Sequence, residues 1–62
     1  MNLLTVEKAK TAYDDECRRV ASVAAAYLRA LDAGTGPSLD LLREAVADRN
    51  VARDRWHAAV ES

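Results

Sequence analysis

Residues 3–31 read LLTVEKAKTAYDDECRRVASVAAAYLRAL, and this stretch decides the fold. Apolar residues recur alternately three and four positions apart at Leu3, Val6, Tyr13, Cys17, Val20, Ala24, Tyr27 and Leu31, with Lys10 the one break in the series. Such a repeat is a heptad seam, the signature of a long helix that lies against another helix. No glycine or proline interrupts it. The first interruption of any kind is Ala33 to Ser38, which contains both glycines and the single proline of the chain. Gly34 suits the left-handed turn that closes a helix, and Pro37 suits the first position of the next, where its missing N–H is no loss.

The expected architecture is therefore all-α: an antiparallel two-helix hairpin, with helix 1 over about residues 3–33, a turn at 34–37, helix 2 over about 38–60, and one domain spanning 1–62. Asn2 or Thr5 can cap the first helix. At about 1.5 Å per residue the longer arm approaches about 45 Å, so the shape is a thin rod. The second arm carries its own apolar stripe, Leu39, Leu42, Val46, Trp56 and Val60, with Arg49 and Arg53 in its middle. The interior is expected to gather Leu3, Val6, Tyr13, Val20, Tyr27, Leu31, Leu39, Leu42, Val46 and Trp56.

A chain of 62 residues buries only about 60% of the surface its unfolded form exposes, which leaves the private core marginal. Small proteins usually make up that deficit with disulfides, a metal or oligomerisation. Cys17 is the only cysteine and His57 the only histidine, so neither an internal disulfide nor a four-ligand zinc site can be assembled, and no cofactor is expected. Oligomerisation remains. Both stripes also have flanks wider than one partner helix can cover: Ala21, Ala25 and Leu28 on the first arm, Leu41, Ala45, Ala52 and Ala59 on the second. Ala21, Ala25, Leu28, Leu41, Ala45 and Ala52 are thus the candidate self-association residues. Two hairpins pairing into a dimeric four-helix bundle is the simplest solution.

The charge pattern excludes several functions. A formal net charge of -1 lacks the basic excess of a polyanion binder, which makes nucleic acid an unlikely partner. No run of eighteen apolar residues offers a membrane span, and the start MNLLTVEK lacks the basic and long apolar segments of a secretory signal, so the cytoplasm is the expected compartment. Alanine is abundant, arginine outnumbers lysine, and Ile, Phe and Gln are absent, a bias of G+C-rich coding in a bacterium or phage. Taking the loop centre at Thr35 and Gly36, residues whose numbers sum to about 71 share a level. That places Asp14, Asp15 and Glu16 near Arg53 and Arg55, and Arg18 and Arg19 near Asp54. Asp14 with Arg18 and Asp15 with Arg19 are i,i+4 pairs of about a few tenths of a kcal/mol each, and the charges as a group are expected to choose register and partner rather than supply stability.

Cys17 and His57 are the only residues that suggest a nucleophile and its base, but no third orienting group or glycine-rich oxyanion loop accompanies them. A small thiol on an apolar seam is ordinary packing. The run from Arg49 through Asn50 to His57 is similar to the Arg and His signature of HEPN ribonucleases, with a longer spacing and in a much shorter chain. The chain is not expected to be an enzyme. In architecture alone, with no shared motif, a small dimeric helical hairpin resembles the plasmid-encoded Rop proteins, and that resemblance implies an RNA- or DNA-binding regulator as the alternative function. Asp40, Glu44, Asp48 and Asp54 interleave with the arginines of the second arm, and mixed signs favour a protein partner. The expected function is a small non-catalytic protein–protein interaction or regulatory protein; a phage or mobile-element inhibitor or antitoxin docking on one enzyme fits the same residues. Arg49, Arg53 and Trp56 are the candidate partner-binding residues, since charge on an apolar stripe and a large aromatic beside it need an explanation.

Overall fold

The computed structural model describes residues 2–62. It consists of α1 (Leu3–Asp32) and α2 (Asp40–Glu61), packed antiparallel along their length. Asn2 caps α1: its side-chain oxygen accepts from the backbone N–H groups of Leu4 at 3.0 Å and Thr5 at 3.4 Å. At the other end Gly34 takes φ 75°, in the left-handed region that glycine enters without strain. That turn lets the Gly34 N–H donate to the Leu31 carbonyl at 3.0 Å and the Thr35 N–H to the Ala30 carbonyl at 3.1 Å, the paired bonds of a Schellman motif. The Thr35 hydroxyl donates to the same Ala30 carbonyl at 2.9 Å.

The second helix opens later than its proline suggests. Pro37 stays in the loop, and the Ser38 hydroxyl oxygen accepts from the Asp40 N–H at 3.1 Å, so serine rather than proline organises the first turn. A capping hydroxyl satisfies an orphan donor, whereas proline merely lacks one. The non-helical residues between Gly34 and Leu39 advance further per residue than helical ones, which shifts α2 along α1. Arg19 accordingly meets Asp48, more than one turn nearer the loop than the Asp54 expected at its level.

The molecule is a rod of 49 × 14 × 9 Å with a radius of gyration of 14.7 Å, against about 10.6 Å for a compact chain of this length. It exposes 4534 Å², more than the about 4,000 Å² usual for its mass. The buried residues are Ala45, Ala52 and Ala59, one per heptad along α2. No large side chain is fully enclosed among the described residues. Around the alanines lie half-buried Val6, Ala9, Tyr13, Asp14, Glu16, Cys17, Val20, Val23, Ala24, Tyr27 and Ala30 from α1, with Leu42, Val46, Arg49, Asn50 and Trp56 from α2.

This corrects the expected interior. Val6, Tyr13, Val20 and Tyr27 form one row of the seam as expected, and Cys17 and Ala24 of the second expected row are half-buried too, but Leu3 and Leu31 at its ends are exposed, and the row Ala9, Glu16, Val23 and Ala30 on the other side is half-buried as well. Leu3 is 70% exposed, and Leu31 and Leu39 are exposed too. On α2 the alanines assigned to the flank are the centre of the contact. The reason is steric: small residues let two backbones approach closely, and larger leucines are displaced to the sides. Ala45→Leu should therefore force the helices apart and lower unfolding stability by about 1–3 kcal/mol at fixed protein concentration, while Val51→Leu on the exposed side of α2 should change little; equal stability of the two variants would contradict the seam.

Candidate interaction surface

Two antiparallel helices have two broad faces, one on each side of their seam. Helical geometry sorts the side chains between them. The first face carries the ionic contact that locks register. Arg19 donates to Asp48 across the helices at 2.6 Å and to Glu16 on its own helix at 3.2 Å. Its guanidinium is held above the usual arginine range, chiefly by the hydrogen bond to Asp48 and then by that to Glu16. The same face holds a shallow groove lined by Ala12, Glu16, Asp48, Val51, Ala52 and Arg55. Nearer the loop lies an apolar groove of about 210 Å³, lined by Val23, Ala26, Tyr27, Pro37, Ser38, Leu41 and Leu42.

The remaining ion pairs run along single helices. Lys10 pairs with Asp14 at 3.6 Å, Arg18 pairs with Asp15, and Arg53 pairs with Asp54 at 3.3 Å. The i,i+4 pairs expected between Asp14 and Arg18 and between Asp15 and Arg19 do not form. The i,i+3 neighbour takes Arg18, and Arg19 is drawn across the seam to Asp48.

At the open end Tyr13 stacks on Trp56 with ring centroids 5.5 Å apart and planes inclined by 23°. His57 lies tilted at 44° to Trp56 with centroids 5.6 Å apart. The Tyr13 phenol is raised above its ordinary value, first through hydrogen bonding with the Cys17 side chain, and Arg49 and Arg53 pull it back down. Cys17 is a half-buried free thiol. Trp56 thus has a partner inside the hairpin. Arg49 is half-buried with its guanidinium donating to the Asn50 side-chain oxygen at 3.2 Å, and Arg53 is exposed and forked on Asp54. Among the described residues no three of His, Cys, Asp or Glu are grouped to hold a metal ion, and no helix is long and apolar enough to cross a membrane.

The second broad face is the one the sequence did not separate from the seam. It presents the row Leu3, Lys10, Cys17, Ala24 and Leu31 from α1, backed by Asp14, Ala21 and Leu28, beside the row Leu39, Val46, Arg53 and Val60 from α2. Leu28 is 60% exposed and Val60 41%. Of the candidate self-association residues, Ala21 and Leu28 lie here. Ala25 is exposed on the side of α1 away from α2, Leu41 lines the apolar groove of the opposite face, and Ala45 and Ala52 are inside the hairpin. Val23 was missed by sequence reading, as were Ala9 and Ala30, and Glu16 was read only as a charge. Their signal is the series 6, 9, 13, 16, 20, 23, 27, 30, which shares half its members with the chosen seam.

No protein-family model, curated protein or solved structure matches this chain. What the geometry itself determines is the register contact. Arg19→Ala should lower the thermal midpoint in low salt, with the difference shrinking in about 1 M salt as screening removes the ionic attraction. Arg18→Ala, whose partner is on its own helix, should have less effect; an Arg19→Ala loss that salt leaves unchanged would contradict an ionic lock.

Proposed function

We propose that this chain is a small, non-catalytic protein–protein interaction or regulatory protein that works as a self-associated helical bundle, two hairpins forming an antiparallel four-helix dimer in the cytoplasm. One observation carries the reading: a hairpin whose buried residues are alanines leaves Leu3, Leu28, Leu31, Leu39 and Val60 exposed on one broad face. Large apolar side chains left exposed at both ends of one face, with half-buried Cys17, Ala24 and Val46 between them, are the kind of surface that an association site covers. Burying it would also supply the large side chains that the hairpin core lacks. Arg49 and Arg53 interrupt the face, and charges there select which surface is accepted as partner. Once the apolar face is covered, the charged opposite face around Arg19, Asp48 and Arg55 remains for a further protein partner.

The test is mass in solution. Native protein should elute with light-scattering mass twice the 6.8 kDa of one chain, and Leu31→Glu, which places a charge among the exposed leucines at the loop end of the apolar face, should shift it to one chain. Leu4→Glu, on the far side of α1, should leave the dimer intact. A monomeric native protein would overturn the reading.

A further inference from the structure

We infer that the occupant of the uncovered face is a second copy of this chain docked with both loops at the same end, the two-fold axis running parallel to the helices so that each α1 lies on the other copy's α2. This rests on the self-association proposed above and adds its direction. The register needed comes from the hairpin itself, where Arg19 meets Asp48. A two-fold parallel to the helices keeps every residue at its own level, so the same offset governs contacts between copies. It brings Asp14 level with Arg53 of the second copy, Ala21 with its Val46, and Leu28 with its Leu39.

Each of these pairs is matched in character. A carboxylate meets a guanidinium, a small residue meets a branched one, and two leucines meet at the loop end. The alternative two-fold, perpendicular to the helices, puts the loops at opposite ends and exchanges the members of each row. It sets Asp14, paired with Lys10 on its own helix, against Ala21, and Arg53, paired with Asp54, against Val46, so neither gains an opposite charge from the second copy. Opposite charges at matched levels therefore choose the same-end dimer over its reverse.

Area agrees with a stable pair. A face 49 Å long and 14 Å wide offers about 700 Å² per copy, close to the about 800 Å² per partner of standard-size interfaces. The two-fold closes the assembly at two copies, because each copy's apolar face is used once. The opposite broad face, with the Arg19 to Asp48 contact, then points to solvent on both sides of the bundle.

The experiment measures the loop-to-loop distance in the dimer. A spin label at Ala33→Cys, in a Cys17→Ala background first checked for dimer mass, reports it by pulsed dipolar spectroscopy. Distances below about 35 Å are expected for loops at one end of a four-helix bundle. Distances at or beyond the 49 Å rod length would overturn the same-end arrangement while leaving self-association standing. Monomer mass for the native protein would overturn both. Should the labelled background not dimerise, the native chain carries a second test: Asp14→Ala and Arg53→Ala should each weaken dimerisation about fivefold, and the double variant no more than either alone. Losses that multiply in the double variant would contradict the proposed pair.

Discussion

Everything in this molecule depends on how closely two helices can approach through Ala45, Ala52 and Ala59. A methyl group at each heptad of α2 puts little side-chain bulk between the two backbones, and the side chains at the contact set the helix separation. Close approach brings Arg19 to Asp48 and Tyr13 to Trp56, which fix the register at the middle and the open end. It also has a consequence for composition. With small residues in the contact, the larger leucines and valines lie beside it, and the hairpin holds together without a large side chain fully enclosed among the described residues.

α1 is therefore a helix with two edges built on one shared row. Val6, Tyr13, Val20 and Tyr27 serve both. On one side of that row Ala9, Glu16, Val23 and Ala30 are half-buried, and on the other Cys17 and Ala24 are half-buried while Leu3 and Leu31 at the two ends are exposed. A heptad repeat with apolar residues on both sides of the row suits a bundle of more than two helices, because one neighbour covers only one side. The hairpin's charges follow the same division, with the interhelical lock on one broad face and Arg49, Arg53 and Lys10 on the other.

The all-α hairpin was legible because its signals are local. Asn2 at the start, Gly34 at the turn and a long stretch free of glycine and proline act within a few residues of themselves. The choice of seam was not legible in the same way. Periodicity identifies rows, but which two adjacent rows meet the partner depends on how near the partner can come, a property of both helices together. Ranking by size favoured Leu3, Leu31 and Leu39, whereas packing placed Ala45, Ala52 and Ala59 inside. Register failed for a related reason, since counting treated the loop as if it rose like a helix. Of the residues singled out for a partner, Trp56 is engaged by Tyr13 and Arg49 is half-buried beside the seam, while Arg53 is exposed on the uncovered face. Nothing local in a sequence says whether a tryptophan has found its neighbour.

The most direct measurement of this account is helicity followed by circular dichroism, with sedimentation equilibrium on the same samples, from about millimolar protein down to about nanomolar. If the alanine seam alone is too small to hold the hairpin and the second face completes the core, helicity falls as dimers dissociate, and the thermal midpoint rises with concentration. A fully helical monomer whose midpoint does not depend on concentration would contradict it, and would mean that three buried alanines and their half-buried neighbours suffice.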